Sequence, residues 1–139
     1  MNFIDVALKE ANKAYNIDDV PVGCVIVKND KILAKAHNKR NRNKDILSHA
    51  EILCIKKASK KLKSWNLYDC DIYVTLKPCS ICENVIKQAR INNVYYLIDK
   101  DSSKKEYFKT KFCKLEDNIQ ENYYKNLLSI FFKEKRVQK

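Results

Sequence analysis

The sequence predicts an α/β fold: a three-layer α-β-α sandwich around a mixed five-stranded sheet, with residues 1–139 forming a single domain. Three observations carry this. Gly23-Cys24-Val25-Ile26-Val27 is a nearly unbroken β-branched run of the kind found in central strands. A turn pair, Asn29-Asp30, joins it to a second strand, which makes a hairpin. Beyond that hairpin, helical periods alternate with strands, the order that lays helices against a sheet. At 139 residues with 45% hydrophobic content the chain can bury a core and is not expected to be disordered.

The elements follow in order. Residues 3–15 place Phe3, Ile4, Ala7, Leu8, Ala11, Ala14 and Tyr15 at helical spacing, and Asn2 can cap them. Val20-Pro21-Val22-Gly23 ends that helix and leads into the first strand, and residues 31–36 form the second. Residues 38–48 are polar, basic and without a period, which reads as a loop. Ser48 is placed to cap a helix opening near His49, with Ile52, Leu53, Ile55 and Ala58 on its buried side. Residues 72–76 form a third strand, 79–89 a further helix and 94–98 a buried strand. Residues 100–111 are charged and irregular, 112–116 read as a short edge strand, and 119–135 form an amphipathic terminal helix.

The formal net charge of +11, from 28 basic and 17 acidic residues, favours a polyanionic partner. A coding bias toward lysine and asparagine, with a single glycine, explains part of it equally well. No apolar run approaches the roughly 20 residues of a membrane span. Met1-Asn2-Phe3-Ile4-Asp5 lacks the basic start and apolar core of a signal peptide. The six cysteines are therefore expected in a reducing, cytoplasmic setting.

Two short segments carry chemistry: His49-Ala50-Glu51 and Pro78-Cys79-Ser80-Ile81-Cys82. Cys79 and Cys82 stand three apart at a helix start, where they share a face and the helix dipole favours thiolate. With His49 they make three ligands of the type zinc prefers, and three rather than four is the number of a catalytic site with room for water. Glu51 can take that water's proton. His49 and Glu51, two apart, diverge on a regular helix, so both reach one centre only if His49 sits at or before the helix start. A closed structural site remains the alternative, with a fourth ligand from Cys24, Cys54, Cys70, Cys113 or His37. Cys24 and Cys54 lie on apolar faces and are expected in the core.

Together the two segments form the His-x-Glu … Pro-Cys-x-x-Cys pattern of the zinc-dependent nucleobase deaminases, which the chain resembles. The surrounding residues narrow the resemblance. Val20–Val27, His37-Asn38-Lys39-Arg40-Asn41, Ser48–Ile52, Tyr73–Cys82, Ala89-Arg90-Ile91, and Leu127-Leu128-Ser129-Ile130-Phe131-Phe132 with Arg136 look, in order, like the bacterial-type tRNA-specific adenosine deaminases. That family implies a cytidine deaminase-like fold, one Zn2+ per subunit and a homodimer. It also implies conversion of adenosine to inosine at the wobble position of a tRNA anticodon, most typically an arginine tRNA.

The resemblance further implies a zinc-bound hydroxide held by His49, Cys79 and Cys82, with Glu51 as proton shuttle, and Asn38, Val22 and Ala50 contacting the flipped base. Asn38 offers both a donor and an acceptor to a base edge; the alternative reading is a turn residue after the strand. Lys39, Arg40, Arg42, Lys44, Lys133 and Arg136 are candidates for phosphate contacts, or simply for a solvated basic surface. The chain departs from the family at Lys77, where glutamate is usual, and at Leu97, where glycine is usual. The segment after Asp99 lacks the family's glycine-rich, lysine-containing loop; Lys100, Lys104, Lys105, Tyr107 and Phe108 could substitute chemically. Two other functions fit the metal motif: deamination of a free guanine, cytosine, cytidine or nucleotide, and a non-catalytic zinc-stabilised RNA-binding module.

Overall fold

Asn2 begins the first helix as expected: its side chain accepts a hydrogen bond from the Ile4 amide at 3.2 Å, and α1 runs Phe3–Asn16. The computed structural model describes residues 2–99 and 109–137, which fall in two compact units, Met1–Lys104 and Lys105–Lys139. In the first unit, β1 (Gly23–Lys28) and β2 (Lys31–His37) form the expected hairpin. Asn29 and Asp30 turn it with φ of 52° and 60°. Positive φ at both central positions matches the twist of the flanking strands, and asparagine and aspartate tolerate it better than most residues.

Strand β3 (Cys70–Leu76) pairs antiparallel with β1, and β4 (Asn93–Ile98) pairs parallel with β3, giving the order β2-β1-β3-β4. The pleat sorts side chains by parity. Cys24, Ile26, Ala34, Ala36, Ile72 and Val74 enter one core with Ala50, Cys54, Ile55 and Ala58 of α3 (Ala50–Leu62) and Ile86 of α4 (Ser80–Gln88). Burying Ile26 or Ile72 fully contributes roughly 1.5–3 kcal/mol each. The opposite face belongs to α1. Ala7, Ala11 and Ala14 are buried, and the Phe3 ring meets Tyr73 at 5.5 Å between centroids. Gly23 is what lets α1 lie so close: a Cβ there would run into the Ala7 carbonyl oxygen and the Ala11 amide. The α-β-α sandwich and mixed sheet are thus as expected.

Three expectations need correction. The sheet has four strands among the described residues, not five, because residues 112–116 form no strand, and Phe112 and Leu115 are exposed. An apolar segment becomes a strand only where an edge accepts its backbone bonds. Residues 94–98 do form a strand, but β4, at one edge of the sheet, is exposed rather than buried along its whole length. Finally, residues 40–43 of the presumed loop form a helical turn, α2 (Arg40–Asn43).

The second unit contains α5 (Asn118–Val137). Asp117 caps it by accepting from the Gln120 amide at 3.1 Å, and Glu121 pairs with Lys114 and Lys125 at 3.3 Å each. Its apolar residues Ile119, Tyr123, Leu127, Phe131 and Phe132 are exposed. Among the described residues no helix is long and apolar enough to cross a membrane.

Candidate metal centre and its cavity

His49 is the N-cap of α3, with extended dihedrals (φ −70°, ψ 149°), so the helix begins one residue later than a Ser48 cap would put it. This resolves the spacing problem. His49 points away before the helical period starts, and Glu51 follows inside the first turn. Ser48, 1% exposed, closes the preceding loop instead. Its hydroxyl donates to Asp45 Oδ2 at 3.2 Å and accepts from Asn43 Nδ2 at 3.1 Å, while its carbonyl accepts from the Lys39 amide. Cys79 repeats the pattern as the extended N-cap of α4 (φ −69°, ψ 173°), with Cys82 one turn inside. Two helix N-termini therefore converge, and their partial positive charge favours anionic ligands.

The ligand atoms of His49, Cys79 and Cys82 all lie within 4.8 Å of one another. His49 Nδ1 is 3.7 Å from Cys79 Sγ and 3.4 Å from Cys82 Sγ. A tetrahedral zinc with Zn–S near 2.3 Å and Zn–N near 2.0–2.1 Å sets nitrogen and sulfur about 3.6 Å apart. The donor set therefore fits zinc in both type and spacing. Cys24, Cys54, Cys70, Cys113 and His37 do not join this group among the described residues. Cys24, Cys54 and Cys70 are core residues; Cys113 is exposed. Cys24 Sγ also donates to the Ala50 carbonyl at 3.2 Å, which secures the backbone between His49 and Glu51.

The electrostatics also call for a cation. Burial, then the neighbouring negative charges of Glu51 and Cys79, push the Cys82 thiol far above its ordinary range. Burial likewise raises the Glu51 carboxyl, against a smaller lowering pull from its own backbone N–H and Cys82. Burial and then the Arg40 charge lower the His49 imidazole, which keeps it neutral with a lone pair to offer. A metal ion reverses the cost of crowding such groups together.

A cavity of about 160 Å³ opens on this centre, lined by Val20, Val22, Asn38, Arg40, His49, Ala50, Glu51, Leu76, Lys77 and Cys79. Pockets that enclose a drug-sized ligand are roughly 300–1,000 Å³, so this one takes a ring and leaves the rest of a larger substrate outside. Asn38, Val22 and Ala50 all reach it. Asn38 is 8% exposed and already half engaged: Nδ2 donates to the Val20 carbonyl at 3.2 Å, and Oδ1 accepts from the Arg40 amide at 3.0 Å. One N–H and one lone pair remain for a ligand.

Of the basic candidates in the first unit, Arg40 alone lines the cavity; Lys39, Arg42 and Lys44 do not. Lys133 is exposed on α5, and Arg136 lies in that helix with its side chain outside the described residues. Lys100, Lys104, Lys105, Tyr107 and Phe108 also lie outside the described residues. Sequence reading missed Asp19, buried at 5% exposure, whose carboxylate accepts the Asn41 and Arg42 amides at 2.9 and 3.0 Å and so anchors α2 beside the cavity. No local signal marks it, because its partners lie across the fold. It also missed Val20, Leu76 and Lys77 as lining residues, although each lies within one of the segments that carry the family resemblance.

Comparison with known proteins agrees with this geometry. Residues 1–98 match the family model described as the cytidine and deoxycytidylate deaminase zinc-binding region. A tRNA-specific adenosine deaminase of Rickettsia bellii is 40% identical over 114 residues, covering 77% of this chain and 79% of that protein. The Aquifex aeolicus tRNA-specific adenosine deaminase is 44% identical over 94 residues, 68% of this chain. The chloroplastic tRNA(adenine(34)) deaminase of Arabidopsis thaliana is 45% identical over a stretch of the same length. The chain spans 62% of the former and 7% of the latter, less than two thirds of either.

Among solved structures, one from studies of A-to-I editing by tRNA:A34 deaminases superposes with a TM-score of 0.69 at 38% identity, covering 70% of this chain and 75% of that one. The guanine deaminase of Bacillus subtilis reaches 0.79 at 26% identity, covering 93% and 95%. The chain belongs to the cytidine and deoxycytidylate deaminase zinc-binding family, and by sequence it groups there with the tRNA-specific adenosine deaminases.

Proposed function

We propose that this protein hydrolytically deaminates adenosine to inosine at the wobble position of a tRNA anticodon, with an arginine tRNA as the substrate to try first. The observation that carries the proposal is the placing of His49, Cys79 and Glu51 in the wall of one ring-sized cavity that Asn38, Val22 and Ala50 complete. His49, Cys79 and Cys82 would hold the zinc, which when bound would supply a water with its pKa lowered toward about 7. Glu51 takes one proton of the attacking water and delivers it to the ring nitrogen next to the attacked carbon; it then takes the remaining proton from the newly added hydroxyl, as that oxygen becomes the carbonyl, and passes it to the departing amine. Adenine and water thus give hypoxanthine and ammonia, with Glu51 returned to its starting state. Burial pushes the Glu51 carboxyl above its ordinary value, which favours its taking up a proton.

Asn38 uses its free N–H and lone pair on the edge of the base, while Val22 and the Ala50 backbone close the pocket around the ring. An adenine in an anticodon loop is unpaired, so drawing it into the cavity costs only a few kcal/mol. The +11 charge suits a polyanionic substrate, and Lys39, Arg42, Lys44, Lys133 and Arg136 are candidates for its more distant phosphates. The same reading makes the protein a cytoplasmic homodimer carrying one zinc per subunit.

The second reading is deamination of free guanine. It is favoured by the Bacillus subtilis guanine deaminase, whose likeness extends over 93% of the chain. The purified protein is incubated with an anticodon stem-loop carrying wobble adenine and, separately, with guanine, adenosine and cytidine. Inosine in the RNA supports the proposal. Turnover of a free base with the RNA untouched transfers the function to the second reading.

A further inference from the structure

We propose that Arg40 and Lys77 form a two-cation clasp at the mouth of the cavity, each holding one of the two phosphodiesters that flank the reacting nucleotide. The inference rests on the reading of the substrate as a base within a polynucleotide, and it names the residues that make the site select one.

The topology puts the two cations on opposite sides of the entrance. Strands β2 and β3 each pair antiparallel with β1, on its two sides, so they run parallel to each other and end at the same edge of the sheet. Arg40 opens α2 soon after β2 ends, and Lys77 directly follows β3. Val22, at the entry to β1, stands between them. Neighbouring strands are about 4.8 Å apart, so β2 and β3 are separated by roughly 10 Å, a width that one nucleotide fills. Both residues line the cavity and both are exposed; Lys77 also borders a second cavity with Glu83 and Tyr96, so its flexible side chain must swing toward the mouth to meet a phosphate.

Their backbones are fixed. The Arg40 amide donates to Asn38 Oδ1 at 3.0 Å, and the Lys77 amide donates to the Ile98 carbonyl at 2.9 Å. Their charges are available. Among the described residues neither is ion-paired with a carboxylate. The nearby carboxylates are committed elsewhere: Asp19 to the amides of α2, Glu83, which shares a second cavity with Lys77, to Lys87 at 3.4 Å, and Glu51 to the buried wall of the cavity. Lys77 rests with Nζ 5.9 Å from the Tyr96 ring centroid, a weak contact that a phosphate readily outcompetes.

This arrangement suits the chemistry of a ring-sized pocket. With only the base inside, the sugar and its two phosphates remain at the rim. A free base has no flanking phosphate, a mononucleotide has one, and a nucleotide within a chain has two. A cation on each side therefore rewards the last most. Lys39, Arg42 and Lys44, which do not reach the cavity, contribute only diffuse attraction.

The test uses the zinc-loaded protein, its R40A, K77A and double variants, and an anticodon stem-loop RNA with wobble adenine. The loop carries either normal linkages or a neutral methylphosphonate on one side of the target. Each single variant should raise KM about five- to tenfold with kcat within twofold, and the double variant should lose about 1.4 from the slope of log affinity against log salt. Each variant should also become insensitive to one neutral linkage, R40A on one side and K77A on the other, with zinc content and melting unchanged. Equal KM, salt slope and linkage sensitivity in parent and double variant overturn the clasp. If the parent leaves RNA unreacted and turns over a free base, the substrate reading fails. The clasp is then judged separately by stem-loop binding, and equal affinity of parent and double variant overturns it too.

Discussion

Asn38 should prove to have two separable roles, and Asn38→Ala reads both. The side chain ties the start of α2 to the segment before β1, through Nδ2 to the Val20 carbonyl and Oδ1 to the Arg40 amide. Each such bond contributes about 0.5–1.5 kcal/mol net, so losing both should destabilise the fold by about 1–3 kcal/mol. For a chain of this size that is a fall in Tm of roughly 3–12 °C. Asn38 also lines the cavity, and one N–H and one lone pair remain unused. A two-point contact to a base edge is worth roughly 1–3 kcal/mol, so kcat/KM should fall a further 5- to 150-fold. Thermal melting measures the first effect. Steady-state inosine formation, at a temperature where parent and variant are both folded, measures the second. A variant that melts early yet keeps kcat/KM within twofold would show that Asn38 is only a tie. One that melts like the parent would show that the two bonds stabilise nothing.

Two further outcomes follow from the same structure. Cys82→Ala should abolish stoichiometric zinc by elemental analysis and lower Tm by several degrees, and a chelator should reproduce that fall in the parent, since metal binding here also stabilises the fold; an unchanged Tm after chelation would contradict the closeness of the ligands. The buried Glu10 carboxyl gives an acid limit: burial alone would raise it, but Lys13 at 2.6 Å and His37 at 3.2 Å outweigh that and hold it below its ordinary value. Its contribution is therefore present above about pH 4.5 and is lost as pH falls through the lowered folded value, so urea unfolding between pH 6 and about 3 should show a steeper acid loss in the parent than in Glu10→Gln.

Much of the site was legible because its chemistry is local. Cys79 and Cys82 are tied by helix spacing, and the conflict between His49 and Glu51 on a regular helix already required His49 at the helix start. The N-cap dihedrals of His49 meet that requirement. A serine before a helix looks like a cap, but the Ser48 hydroxyl is occupied by Asp45 and Asn43 and the cap position falls one residue later, on His49. The engagement of Asn38 with Val20, and of Asp19 with α2, depends on contacts about twenty residues apart in sequence, which no local pattern records. The β4 strand was legible as a strand but not as an exposed one, since its apolar run reads the same at an edge as in the middle of a sheet. Residues 112–116 show the converse: β-like composition without a partner edge leaves no strand.

The central claim is that Glu51 moves the protons of a hydrolytic deamination at a centre built by His49, Cys79 and Cys82. Glu51→Gln keeps the side chain's shape but replaces the carboxylate with a neutral amide that cannot take a proton. The direct measurement is inosine formed in the wobble-adenine stem-loop, with zinc content and Tm determined on the same samples. The account predicts parental zinc and a Tm within a few degrees of the parent, with turnover reduced by 10²-fold or more. Turnover within threefold of the parent at full zinc occupancy would contradict it.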